Sequence, residues 1–124
     1  MNVASIMAHK VATVGMDDSL KTVRIAFEHA TYYHVLVVKD RKLVGVISDS
    51  DLPTDKECGS IALNKKAYEI MNRIPVTVDK NASIEKAGNL LLDRNVTYLP
   101  VLSSQGVVEG IVSWRDILKF LLKE

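Results

Sequence analysis

One cysteine in 124 residues leaves no internal disulfide possible. That residue, Cys58, stands in a polar stretch with no histidine or second cysteine nearby, so it reads as a solvent-near free thiol and not as a metal ligand. An excess of one charge is also missing: 16 basic residues face 15 acidic ones, the net charge is +1, and no basic stripe with interleaved aromatics occurs. Nucleic-acid binding therefore has no electrostatic support. Long apolar runs are absent, since stretches such as Val35 to Val38 and Leu90 to Leu92 fall far short of a bilayer span. Met1 is followed by no basic-then-apolar leader, and the expected location is cytoplasmic with no membrane contact. Neither a His/Cys nor a Ser/His/Asp set is legible and no metal spacing occurs, so no catalytic residue and no metal ligand is assigned and an enzyme is not expected.

What is present is a soluble core composition, 48% hydrophobic and 25% charged, and a sequence that says nearly the same thing twice. Gly45-Val46-Ile47-Ser48-Asp49-Ser50-Asp51 returns as Gly110-Ile111-Val112-Ser113-Trp114-Arg115-Asp116. At an offset of 64, Ile6-Met7 matches Ile70-Met71, Thr13-Val14 matches Thr77-Val78, Ser19 matches Ser83 and Val37 matches Val101. Gly45, Ser48 and Asp51 match Gly110, Ser113 and Asp116 at an offset of 65. The slip falls where Lys39-Asp40-Arg41-Lys42 faces Ser103-Ser104-Gln105-Gly106, and an extra residue is tolerated in an exposed turn but not inside a strand. The expected layout is repeat one over 1–52, a linker over 53–66 and repeat two over 67–124. Each repeat is near the lower size limit for an unaided domain, so the copies are expected to share one core about a pseudo-twofold axis.

Each copy opens with a short helical stretch ending at Met7 or Met71, followed by an extended Thr-Val pair. Ser19 offers an N-cap to a helix with Leu20, Val23, Phe27 and Ala30 on one stripe, and Ser83 does the same for Ile84, Ala87, Leu90 and Leu91. Val35 to Val38 and Leu99 to Leu102 read as buried strands, with hairpin partners over Leu43 to Ile47 and Val107 to Val112. Ser48 and Ser113 end those strands and cap a further helix, which Pro53 cuts short in the first copy and which runs to Lys123 in the second. The order is helix, strand, helix, strand, strand, helix, taken twice.

Gly-x-x-Ser-x-x-Asp at a strand-to-helix junction gathers three polar functions. Free backbone N–H groups at the helix start attract anions, the serine hydroxyl can donate to phosphate, and the aspartate can accept from sugar hydroxyls. Together they suggest a nucleotide. The glycine removes a side chain where a flat base could approach the backbone. A purely structural reading, with Ser as N-cap, Asp suited to the helix dipole and Gly marking a bulge, accounts for the same residues taken singly.

The two copies resemble a tandem pair of cystathionine β-synthase (CBS) domains, the Bateman module, over nearly the whole chain apart from the linker. The likeness rests on the two Gly-x-x-Ser-x-x-Asp segments, the strands before them, and Ile-Met preceding Thr-Val in both copies. It implies an α/β (α+β) class, with two pseudo-twofold-related β-α-β-β-α repeats forming one CBS-pair module. It also implies adenosine-type ligands (AMP, ADP, ATP or S-adenosylmethionine) in clefts between the repeats, no obligatory cofactor, a homodimer, and a separate protein that is regulated. Carried over residue by residue, Asp51 and Asp116 hold ribose while Ser48 and Ser113 face phosphate. Thr13 and Thr77 sit near base or sugar, and the base lies against backbone and apolar side chains around Val35-Leu36 and Leu99-Pro100. His34, which matches Tyr98, stands where some relatives reach ligand phosphate, or is simply a strand-end histidine.

The copies are unequal. The second has the family's proline at Pro100 where the first has Leu36, and Trp114 and Arg115 follow Ser113 where Asp49 follows Ser48. A carboxylate repels phosphate and an arginine attracts it, so the second site is the one expected to hold a phosphorylated ligand. Trp114 could stack on a base or fill a helix-packing or dimer contact. The function expected is a ligand-sensing regulatory module, and the alternative is a dimerisation or interaction module with degenerate clefts.

Overall fold

Two small sheets are built alike from the two halves of the chain in a computed structural model that describes residues 2–28, 34–48, 51, 65–73 and 75–123. In the first, β1 (Thr13–Gly15) runs parallel to β2 (His34–Lys39), which pairs antiparallel with β3 (Lys42–Ser48). In the second, β4 (Val78–Asp79), β5 (Tyr98–Leu102) and β6 (Val108–Ser113) repeat that order and those directions. Helix α1 (Leu20–Phe27) lies between β1 and β2 in the chain, and α3 (Ile84–Arg94) between β4 and β5. The short α2 (Ala67–Ile70) precedes β4, and α4 (Trp114–Leu122) follows β6. The class is mixed α+β. Ala30, Asp49, Pro53, Cys58 and the linker over 53–64 lie outside the described residues.

The helices start where the sequence places their caps. The Ser19 hydroxyl accepts from the Thr22 N–H at 3.3 Å and that of Ser83 from the Lys86 N–H at 3.0 Å. Leu20 and Val23 on α1, and Ile84, Ala87 and Leu91 on α3, turn to the interior. Helix α3 stops at Asn95, whose left-handed φ of 54° lets the Val96 N–H reach back to the Leu91 carbonyl at 3.1 Å.

The one-residue slip between the copies has a definite geometry. Lys39 pairs with Lys42 around a two-residue turn in which Asp40 and Arg41 both take positive φ, 52° and 71°. In the second copy the Ser103 N–H donates to the Val107 carbonyl at 2.9 Å around a three-residue loop, and Gly106 takes the positive φ of 82°. The extra residue is confined to the turn. Both β2–β3 and β5–β6 keep their register shift at the equivalent place, just before Val38 and Leu102.

A second difference follows from Pro100. The Leu36 N–H donates to the Ala12 carbonyl at 2.9 Å and starts the β1–β2 ladder at Thr13. Pro100 has no N–H, so the matching bond to Val76 cannot form and the β4–β5 ladder starts one residue later, at Val78. Strand β4 is shorter for that reason, and the Val76 carbonyl lacks the ladder bond that Ala12 has.

The packing units cut the chain differently from the sequence repeats. One unit is Val11–Pro75; the other joins Met1–Lys10 to Val76–Glu124. The cause is that each copy's leading segment packs with the other copy's sheet. Val3 N–H bonds to the Ala82 carbonyl at 2.9 Å, Ala8 and Ile111 bond reciprocally at 2.8 and 3.0 Å, and Val3 is wholly buried beside Val78, Leu99 and Val112. The same bonds recur at the repeat offset: Ala67 N–H to the Asp18 carbonyl at 2.8 Å, Asn72 with Val46 at 2.8 and 3.0 Å, and Ala67 buried beside Val14, Val23 and Ile47. Among the described residues the buried side chains form two core clusters, each completed by a segment from the other repeat.

That exchange explains the glycine of the repeated motif. A β-carbon on Gly110 would stand 2.7 Å from the Ala8 carbonyl oxygen and 2.7 Å from the Met7 sulfur, and one on Gly45 would stand 2.5 Å from the Met71 sulfur. The space beside each glycine holds a methionine, not a flat base, and this also accounts for the repeated Ile-Met.

Two stability predictions follow. Gly110→Ala is expected to cost about 1–3 kcal/mol in urea unfolding, because the Ala8 carbonyl is fixed by its bridge to Ile111. Gly45→Ala should cost less, since its clash is with the Met71 side chain, and equal effects would contradict the difference. In the β2–β3 turn, Arg41→Gly should stabilise by about 1 kcal/mol, read as a rise in melting temperature, because a left-handed φ of 71° strains arginine and not glycine.

Candidate functional site

Strand β6 ends at Ser113 and α4 begins at once, because Ser113 and Asp116 cap each other. The Asp116 Oδ2 accepts from the Ser113 N–H at 2.9 Å and from its hydroxyl at 3.1 Å, while the Asp116 N–H donates to the Ser113 Oγ at 3.4 Å. The first copy repeats the core of this arrangement: Asp51 Oδ2 accepts from the Ser48 N–H and from its hydroxyl, both at 2.9 Å.

These bonds set the hydroxyl of each serine against the aspartate. A hydroxyl has one proton, and the Ser48 hydroxyl donates it to Asp51 as that of Ser113 does to Asp116. Ser113 is also 6% exposed. Arg115 is solvent-exposed on α4 and is not among the residues lining the cavity that holds Asp116.

Strand alternation sorts the remaining residues. Val35 and Leu99 belong to the two cores, so their side chains are closed to a ligand. Leu36 and Pro100 point to the opposite faces and are buried there as well. Thr13 pairs with Leu36 in register; Thr77 stands next to the first β4–β5 pair and so beside Pro100. His34 faces Ser48 across the hairpin and is half-buried, as Tyr98 faces Ser113. Thr77, Tyr98, Pro100 and Ser113 thus come together around one end of β5, as do Thr13, His34, Leu36 and Ser48 around the start of β2. Tyr98 is the residue that sequence reasoning passed over, although its match to His34 was the available signal.

Asp116 opens on a shallow cavity of about 400 Å³ lined by Ser5, Ile6, Asp116, Lys119, Phe120 and Lys123. Ile6 and Phe120 are its apolar members, its acid comes from the motif, and two lysines follow Asp116 by three and seven residues, Lys119 on α4 and Lys123 at its C-cap. In the sequence Lys123 reads only as a helix-end charge. Among the described residues no cluster of three or more His, Cys, Asp or Glu is placed to hold a metal ion, and no helix is long and apolar enough to cross a membrane.

Comparison with known proteins agrees with this architecture. The family model for the CBS domain matches residues 3–52 and 67–123. A CBS domain-containing protein of Dictyostelium discoideum is 30% identical over 132 residues, covering 98% of this chain and 91% of its own. The inosine-5'-monophosphate dehydrogenase of Thermoplasma acidophilum is 26% identical over 114 residues, which is 92% of this chain and 22% of that enzyme. This chain spans between 20% and 24% of the length of several such longer relatives. Among solved structures, CBSX2 in complex with AMP superposes with a TM-score of 0.84 at 26% identity, covering 98% of this chain and 96% of that one. The cytosolic domain of the Mg2+ channel MgtE in complex with ATP gives 0.80 at 28% identity, covering 96% and 48%. With the family model matched in both halves and the same sheet built twice, the chain belongs to the CBS domain family and carries the CBS unit in tandem.

Proposed function

We propose that this chain is a regulatory module that binds an adenosine-type ligand at its Ser–Asp junctions, and that another protein reads the bound state. The observation that carries the reading is the duplicated Ser–Asp box, with Asp116 opening on a cavity. CBSX2 holds AMP and the MgtE cytosolic domain holds ATP, and both share this fold and more than a quarter of its sequence. Asp116 is the acceptor suited to ribose hydroxyls. The Val76 carbonyl beside Thr77, released from the ladder by Pro100, suits an amino group such as that of adenine. The chain acts by binding and not by catalysis, and the second copy is the site for a phosphorylated ligand.

The exposed face of α4 favours self-association alongside this role. Trp114, Leu118, Leu121 and Leu122 recur at helical spacing and are 40% to 75% exposed, an apolar stripe of the kind that marks an interface. We assign it to a homodimer contact. Leu118→Glu with Leu121→Glu should shift sedimentation from dimer to monomer without unfolding the protein. A wild-type monomer, or a mutant that still pairs, would contradict the assignment.

Ligand binding is tested by thermal shift with AMP, ADP, ATP and S-adenosylmethionine. Ligand at about 100 times its dissociation constant should stabilise the fold by about 2.7 kcal/mol. Asp116→Ala should abolish the shift. It should also lower the ligand-free stability by about 1 kcal/mol through loss of the cap, so each variant is compared with its own ligand-free baseline. Asp51→Ala should leave most of the shift in place. Failure of all four ligands on wild-type protein would remove the proposal.

A further inference from the structure

Building on Asp116 as a sugar-hydroxyl acceptor, we propose that Lys119 and Lys123 make the second site select nucleotides with two or three phosphates over those with one. With the Ser113 proton held by Asp116 and Arg115 outside the cavity, the cations that share the cavity with Asp116 are these two lysines. An α-helix rises about 1.5 Å per residue, which sets the Lys119 backbone about 4.5 Å along α4 from Asp116 and leaves Lys123, the helix C-cap, farther on past its last turn. A carboxylate at one end, the apolar side chains of Ile6 and Phe120 in the lining, and ammonium groups on α4 and at its C-cap suit a sugar at Asp116 with a phosphate chain running toward the C-terminal end of α4. A single phosphate meets the nearer lysine; a longer chain meets both.

The first copy supplies an independent contrast. Repeat one gives way to the linker at Pro53, so the sequence offers no aligned counterpart of Lys119 and Lys123 there, and at the offset of 64 Ser5 is replaced by Glu69. The cavity at Asp116 carries two positive charges and one negative, and the one aligned change in its lining that alters charge, Ser5 to Glu69, adds a negative charge in the first copy. The motif itself is common to both copies; the pair of lysines is not. Selection by phosphate number therefore belongs to the second site alone.

The test is calorimetric titration of the full chain with AMP, ADP and ATP, without divalent cations, for wild type, Lys119→Gln, Lys123→Gln and the double variant. Wild type should bind ATP more tightly than AMP. Each exposed charge contact contributes modestly, so the single variants should weaken ATP by about threefold and the double variant by about tenfold, with AMP weakened by less. The preference should also fall as salt is raised. Glutamine keeps most of the side-chain length, and an unchanged melting temperature without ligand verifies the fold. An ATP-to-AMP affinity ratio that is unaltered in the double variant overturns the role of the lysines while leaving nucleotide binding intact. Absence of binding by all three nucleotides to wild type overturns both.

Discussion

The contact on which most else depends is a methionine lying over a bare glycine backbone. Met7 fills the space beside Gly110 and Met71 that beside Gly45, and each is delivered by a segment bridged to the strand carrying the glycine, Ala8 to Ile111 and Asn72 to Val46. These bridges sit two residues before Ser113 and Ser48. The end of β6, the start of α4 and hence the direction of Asp116 are fixed by a segment from the opposite end of the chain. A small repeat that could not close its own core has become two cores that each need both repeats.

The Ser–Asp pair joins structure to function at that junction. Asp116 satisfies the Ser113 backbone and hydroxyl donors with one oxygen, and the residue still borders a cavity. Asp51 does the same for Ser48. An acid held in this way is oriented before any ligand arrives, which lowers the entropic cost of using it. The structural and functional readings of the motif are thus compatible for aspartate, while the serine hydroxyl serves the cap.

Duplication has left the two copies free to diverge where a site does not constrain them. Beside the sheet bulge the second copy sets Lys80 3.4 Å from Glu109, a partly exposed ion pair of small worth, where the first has Met16 and Val44 packed on its core. Pro100 against Leu36 shortens one strand. These are local exchanges on an unchanged frame.

The frame was legible in the sequence because it is written in local signals. Ser19 and Ser83 announce helix starts, Val35 to Val38 and Leu99 to Leu102 announce strands, and the change of offset locates the turn around Asp40 and Arg41. The exchange of leading segments was not legible, since an apolar Val3 or Met7 states that it will be buried but not against which sheet. The same holds for Lys119 and Lys123, whose meaning depends on Ser5 and Ile6 being brought beside α4 from more than a hundred residues away.

The central claim is that the second Ser–Asp junction receives an adenosine nucleotide, and backbone NMR of the full chain titrated with ATP tests it most directly. The account predicts saturable shifts centred on Ser113, Asp116 and Lys119, with much smaller ones at Ser48 and Asp51. Shifts that never saturate at Ser113 and Asp116, or that centre on the first junction, would contradict it.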